Sequence, residues 1–263
     1  MAKFCPLASS SGGNSTYLGA SGGALLIDAG ISCRRIETAL AAFDDDADRV
    51  AAVLLTHEHI DHVKGLPVFL RRHPEAVLYA TAAVLEDLAP SLPAGCATEA
   101  IVPGEIFTAA GVEVRVFATP HDSVGSVGYR METPDGRTFA VATDLGAVTD
   151  EVRAALLGTE TVLLESNYDP LLLRMGPYPP YLKARIASEH GHLSNDDAAS
   201  FAAELIEAGT ARFFLGHLSR ENNNPALAQQ TVCGALAQAG ARQGADFELA
   251  VAPYDCPGRL VRL

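Results

Sequence analysis

The tightest constraint on this chain is the stretch Leu54-Leu55-Thr56-His57-Glu58-His59-Ile60-Asp61-His62, which grows out of the apolar run Val50 to Leu55. That run reads as a buried strand. His57 and His59 lie two apart, so an extended backbone points both rings the same way. Asp61 and His62 open the next segment, Val63 to Arg72, whose apolar spacing predicts a helix. Four nitrogen and oxygen donors therefore converge at the carboxyl end of a strand, where α/β proteins place their sites. Imidazole with carboxylate suits zinc, and also manganese or iron as oxygen ligands increase.

The remaining chain must supply a fold that holds such a loop. Lys3 to Ala8, Thr16 to Leu18 and Ala24 to Ile27 read as strands, with the turn Ser9-Ser10-Ser11-Gly12-Gly13-Asn14-Ser15 between the first two. Ser32 caps a helix running to about Phe43, and Asp44-Asp45-Asp46 reads as a solvated acidic turn. Val77 to Ala80 is a strand and Thr81 to Leu88 a helix. From Ala97 to Val141 short β segments are split by Gly and Pro. Helices return at Thr149 to Leu157, Pro180 to Ala187, Asn195 to Ala208 and Pro225 to Gln238, with strands Thr161 to Leu164 and Arg212 to Leu215 between them. This order predicts amphipathic sheets covered by helices, a layered α/β architecture. No linker divides the 263 residues, so one domain over 1–263 is expected.

Three further strands lead to a residue of metal-ligating type, any one of which alone would more often be a satisfied polar residue: Val112 to Ala118 leads to His121, Phe139 to Ala142 to Asp144, and Phe213 to Leu215 to His217. Asp28, closing the strand Ala24 to Ile27, and Asp122 are expected to orient ligand imidazoles from behind. His73, at a helix end before Pro74, reads as a surface histidine.

His-Xaa-His-Xaa-Asp-His after a strand resembles the motif of the metallo-β-lactamase fold. The resemblance implies a four-layered αβ/βα sandwich with the site along one edge of its two sheets. Carried over residue by residue, it gives one divalent ion to His57, His59 and His121 and a second to Asp61, His62 and His217, with Asp144 shared by both. Zn²⁺ or Mn²⁺ fits these donors, and two such ions can hold a hydroxide between them for hydrolysis. Asp144 stands where many true metallo-β-lactamases carry cysteine, which argues against β-lactam cleavage.

The segments Ser-Ser-Gly-Gly-Asn-Ser, Glu165-Ser-Asn-Tyr-Asp, Arg174-Met-Gly-Pro-Tyr-Pro, Gly191-His-Leu-Ser-Asn and Gly216-His-Leu-Ser-Arg-Glu-Asn-Asn resemble the YycJ (WalJ) type of bacterial metallo-hydrolase, a relative of ribonuclease Z and the β-CASP nucleases. That resemblance implies a phosphodiesterase resembling a DNA exonuclease. Beside Asp61, it makes His192 and Glu165 catalytic, with His192 the general acid and Glu165 its carboxylate partner. Asn14, Lys183, Arg185 and Arg220 are the candidate substrate contacts, together with Asn222 to Asn224 and the Pro/aromatic loop Arg174 to Tyr181. The chain lacks the long insert of ribonuclease Z and the extra β-CASP domain, so DNA is the favoured nucleic acid over RNA.

Two other readings compete: a small-molecule hydrolase such as a glyoxalase II-like thioesterase or lactonase, and a non-catalytic metal-binding regulatory protein. The net charge of −13 argues against a basic, non-specific nucleic-acid coat. It leaves room for a local patch beside a metal site. No apolar run approaches the roughly 20 residues that span a bilayer, and the first residues lack the apolar stretch of a signal peptide. No membrane partner and a cytoplasmic location are expected. Five scattered cysteines fit reduced thiols better than a disulfide framework. Oligomeric state and native metal are left open by the residues.

Overall fold

The computed structural model describes residues 2–263. Among them, two seven-stranded sheets face each other. The first has the order β14 (Val261–Arg262), β1 (Lys3–Ala8), β2 (Ser15–Ala20), β3 (Gly23–Ile27), β4 (Val50–Leu54), β5 (Val77–Thr81) and β6 (Thr98–Ile101). The second has the order β13 (Glu248–Val251), β12 (Arg212–Gly216), β11 (Thr161–Glu165), β10 (Thr138–Ala142), β9 (Val127–Glu132), β8 (Val112–Ala118) and β7 (Ile106–Ala109). Helices α1 (Cys33–Ala41), α2 (Ile60–Val63), α3 (Leu66–Arg72) and α4 (Ala82–Leu88) follow strands of the first sheet. Helices α5 (Asp150–Leu156), α6 (Pro170–Met175), α7 (Pro180–Ile186), α8 (Asn195–Glu207) and α9 (Pro225–Gln238) follow strands of the second.

The apolar runs show why the layers form. In β3, Ala24 and Leu26 pack on the outer helices while Leu25 and Ile27 face the second sheet. In β10, Ala140 and Ala142 face the helices α5 and α8, and Phe139 and Val141 face the first sheet. Strands buried on both faces read as continuous hydrophobic runs rather than alternating ones. Between the sheets Phe4 stacks on Phe139 with centroids 5.2 Å apart and tilts against Phe214 at 5.6 Å. The result is the four-layered αβ/βα sandwich expected from the sequence.

Register places the site. Ile27 pairs with Leu54 in parallel, and Ala142, Leu164 and Leu215 lie in one row across β10, β11 and β12. Strands that run parallel and in step deliver their next residues to the same edge. Asp28, His57, Asp144, Glu165 and His217 all sit there.

Four local expectations need correction. The helix expected over Val63 to Arg72 begins earlier, at Ile60, and is broken near Gly65. A Cβ on Gly65 would lie 1.9 Å from the Ile31 carbonyl oxygen, so the chain passes too close for a side chain there. Asp61 and His62 are thus part of a single turn of helix. The Pro/aromatic loop Arg174 to Tyr181 overlaps the end of α6 and the start of α7, and α6 had no counterpart among the expected helices because six residues are too few to show a period in sequence. His73 is buried, not on the surface: its Nδ1 donates to Asp48 at 2.7 Å and its Nε2 lies 3.2 Å from Glu37. Within the acidic turn, Asp45 accepts from Tyr17 (2.6 Å), Lys3 (2.9 Å) and Arg49 (2.7 Å).

Candidate metal centre

The structure brings His57, His59 and His121 into one group of ligand atoms and Asp61, His62 and His217 into another, each within 4.8 Å. Asp144 lies between the groups. Its Oδ2 is 3.3 Å from His62 Nε2, and its Oδ1 is 3.6 Å from His121 Nε2 and 3.5 Å from His217 Nδ1.

The ring orientations follow from what lies behind each imidazole. Thr56 gives its hydroxyl hydrogen to Asp28 (3.0 Å), so its oxygen is the acceptor for His57 Nδ1, also at 3.0 Å. His62 Nδ1 donates to Asp28 Oδ2 at 2.8 Å, and His121 Nδ1 to the Gly191 carbonyl at 3.0 Å. His217 Nδ1 donates to Glu165 Oε1 at 2.8 Å. In these four rings Nδ1 is engaged from behind, which turns Nε2 inward. His59 presents Nδ1 instead, 3.3 Å from His121 Nε2.

The donors fit divalent cations. His57 Nε2 and Asp144 Oδ2 are buried and make no hydrogen bond, and buried polar atoms are rarely left so. The buried carboxylates Asp144 and Glu165 belong to one group of close-set ligand atoms, a concentration of negative charge that calls for compensation. Burial and the neighbouring rings, chiefly His62, push His57 well below the ordinary histidine range. Burial likewise lowers His121 despite Asp144. Burial opposes charge on His62 and His217 too, but there the carboxylates win. Asp28 and Asp144 raise His62 well above the usual range, and Asp144, Asp61 and Glu165 raise His217 to about 10. Asp144 is held well below the carboxylate range by His217, His62 and His57, against its burial.

Backbone geometry is part of the design. Asp28, Asp144 and His217 have φ of 60°, 59° and 55°. Left-handed backbone costs an ordinary residue roughly 1–2 kcal/mol, and it persists where surroundings over-determine it. Each of the three turns sharply off its strand and aims its side chain across the sheet edge.

Glu165 is fully buried and serves two rings. Its Oε1 accepts from His217 Nδ1 and from His192 Nδ1 at 2.9 Å, and its Oε2 accepts from the Leu145 (2.6 Å) and Leu193 (3.1 Å) amides. His192 is a fifth of the way exposed, at 21%, and with Nδ1 on Glu165 it offers Nε2 outward. Its ring centroid is 5.1 Å from that of His121 and 5.2 Å from that of His217.

The other expected residues are placed as follows. Asp28 stands behind His62 as anticipated. Asp122 does not stand behind an imidazole: it lies 3.5 Å from His121 Nε2 and is paired with Arg185, while the Gly191 carbonyl does the orienting. Arg220 is paired with Asp255 and stacks 4.8 Å from the Tyr254 ring centroid. Lys183 donates to the Arg174 carbonyl at 2.8 Å and pairs with no carboxylate among the described residues. Asn14 is 4% exposed, inside the centre rather than on an open wall. Asn222 and Asn223 are buried as well. Asn223 joins the Ser166 and Asn167 carbonyls to Asn195, and Asn224 caps α9, so these residues hold the fold together. Thr56, Ser9 and the Gly191 carbonyl were not singled out from sequence. Thr56 could have been, since a hydroxyl directly before the first ligand is well placed to support it.

The profile described as Beta-lactamase superfamily domain matches residues 24–218. The chain is 36% identical over 251 residues to Exodeoxyribonuclease WalJ of Streptococcus pneumoniae, covering 94% of this chain and 93% of that one. It is 36% identical over 249 residues to Exodeoxyribonuclease YycJ of Bacillus anthracis, with the same coverage. Zn²⁺-bound PqqB from Methylobacterium extorquens superposes over 100% of both chains with a TM-score of 0.75 at 20% identity, a likeness of fold.

Proposed function

Because this chain belongs to the metallo-β-lactamase-fold hydrolases of the β-lactamase superfamily, alongside WalJ and YycJ, we propose that it is a dinuclear phosphodiesterase that removes nucleotides from DNA ends. The observation that carries this reading is the pair of three-donor groups about one buried carboxylate, with a free imidazole beside them. His57, His59 and His121 would hold one divalent ion, Asp61, His62 and His217 the other, and Asp144 both. Ions bound there supply Lewis acidity toward a phosphodiester oxygen and lower the pKa of a water molecule.

The chain's own groups do the rest. Asp28, Glu165, Thr56 and the Gly191 carbonyl fix the ring orientations, so the inward Nε2 atoms need no rearrangement to bind an ion. His192 Nε2 protonates the departing alkoxide, a strong base that leaves slowly without a proton, and Glu165 keeps Nδ1 engaged throughout. Lys183 is the cation best placed to meet a flanking phosphate, since Arg185 and Arg220 already face Asp122 and Asp255. Tyr181 and Met175, 76% and 75% exposed, offer apolar surface on the same excursion for bases to stack against.

A cytoplasmic setting agrees with five free cysteines and with the absence, among the described residues, of a helix long and apolar enough to cross a membrane. The test is a panel of end-labelled single- and double-stranded DNA and RNA, assayed with Zn²⁺ and with Mn²⁺. Stepwise shortening of DNA is expected. Turnover of a thioester with no cleavage of any oligonucleotide or of bis-p-nitrophenyl phosphate would instead establish the small-molecule reading.

A further inference from the structure

The Ser/Gly turn of residues 9–15 approaches the centre on one side. The Asn14 amide donates to the Asp61 carbonyl at 2.7 Å, and the Gly30 amide donates to the Asn14 carbonyl at 2.7 Å. Gly30 must be glycine for this to happen: a Cβ there would lie 1.6 Å from the Asp61 carbonyl oxygen and 2.7 Å from the Asn14 nitrogen. On the other side of the turn, the Ser9 hydroxyl oxygen accepts from the His217 amide at 2.8 Å. The turn thus holds the backbone of two candidate ligands that are 156 residues apart in sequence.

The Asn14 side chain reaches further in. Its Oδ1 accepts from the Ser10 amide (3.0 Å) and from the Ser9 hydroxyl (3.2 Å), whose oxygen is already occupied by His217. Two donors on one amide atom settle which atom is oxygen. The amino group must therefore face the centre. One of its hydrogens goes to the Ser10 carbonyl at 3.0 Å. The other falls between Asp61 Oδ2 at 3.3 Å and His62 Nε2 at 3.0 Å. His62 Nε2 also faces Asp144 Oδ2 at 3.3 Å, so the acceptor of this hydrogen is the Asp61 carboxylate, with the His62 ring packed beside it. A neutral amide hydrogen thus sits at the two donors that the second ion would use. Nothing equivalent approaches His57 Nε2, which has no hydrogen-bond partner.

We propose that Asn14, held in place by Ser9, is a positioning residue for the Asp61/His62/His217 ion alone. It keeps Asp61 and His62 converged before the ion arrives and retains Asp61 afterwards. The inference rests on the two-ion reading, and the test separates the two. Zn²⁺ binding to the purified full chain, measured by competition with a chromophoric chelator, should resolve two steps. Asn14→Ala should weaken one step by about 10- to 100-fold, the usual effect of removing a partner of a metal ligand. Ser9→Ala, a gentler change, should weaken the same step by less. His59→Ala should weaken the other step, and the Asn14→Ala/His59→Ala double variant should show both losses additively, as independent sites do. Two wild-type steps that Asn14→Ala and Ser9→Ala leave unchanged, or that Asn14→Ala weakens equally, would overturn the inference while sparing the two-ion reading. A single step in the wild type would overturn both.

Discussion

The two halves of the candidate metal centre are built by different means. His57 and His59 come from one strand end, joined by His121, and the half has light support: a threonine hydroxyl behind His57 and a backbone carbonyl behind His121. Asp61, His62 and His217 come from a helical turn and a distant strand. They are backed by the carboxylates Asp28 and Glu165, the Asn14 amide and the Ser9 hydroxyl. The contrast is electrostatic too, since the buried rings of the first half are shifted down and those of the second are shifted up. Ligands that are close in sequence are aligned largely by the strand itself. Ligands gathered from far apart need groups whose main task is to hold them.

Asp144 is the residue common to both halves, so its removal should have the largest effect. Asp144→Ala should lose at least one ion by elemental analysis, and hydrolysis should fall by far more than the ~10- to 100-fold that loss of a supporting partner costs. Retention of both ions would show that the halves do not depend on a shared carboxylate. Next comes His192, which belongs to neither half. His192→Ala should keep both ions and slow DNA cleavage by about 10²- to 10⁴-fold. It should slow a nitrophenyl phosphodiester far less, because that leaving group departs without a proton. Equal slowing on both substrates with metal content intact would remove His192 from the acid role.

Much of this site is legible in the sequence because several of its residues come at or shortly after a strand end: Asp28 after Ile27, His57 after Leu54, Asp144 after Ala142, His217 after Gly216. The fold is legible for the same reason, since continuous apolar runs mark strands buried on both faces. What stays hidden depends on contacts made by folding. Asn14 meets Asp61 and His62 from 47 and 48 residues away, and nothing near it in sequence indicates which way its amide turns. Glu165 is expected beside His192, but its second ring, His217, lies 52 residues on. Asp122 sits next to a ligand in sequence, yet its carboxylate turns to Arg185.

A control distant from the centre sharpens the comparison. Burial works against ionising Asp45, but bonds from Tyr17, Lys3 and Arg49 outweigh it and hold the carboxyl at about 2, against an ordinary 3.8. A depressed carboxylate contributes stability that is present above its unfolded pKa and fades as pH falls from about 4 through about 2. Asp45→Asn should therefore destabilise the chain on the order of 2 kcal/mol at pH 7, and much less at pH 2. Urea unfolding at the two pH values measures this, and both ions should remain bound at pH 7. A loss of equal size at both pH values would show that packing, not charge, is at stake.

The smallest effect belongs to the substrate cations. Lys183→Ala together with Arg185→Ala should weaken oligonucleotide binding and lower the salt slope by roughly one phosphate contact. Arg185 is already matched by Asp122, so Lys183 should account for most of that change. Bis-p-nitrophenyl phosphate should be cleaved almost as before. Equal losses on both substrates would place the damage in the fold or the metal centre.

Two cations sharing Asp144 are what the proposed mechanism most directly requires. Crystals of the wild-type chain grown with excess Zn²⁺ and measured at the zinc absorption edge give the answer in one anomalous difference map. Two peaks are expected, one among His57, His59 and His121 and one among Asp61, His62 and His217, with an Asp144 oxygen at each. A single peak at full loading, or two peaks with Asp144 bound to neither, would contradict it.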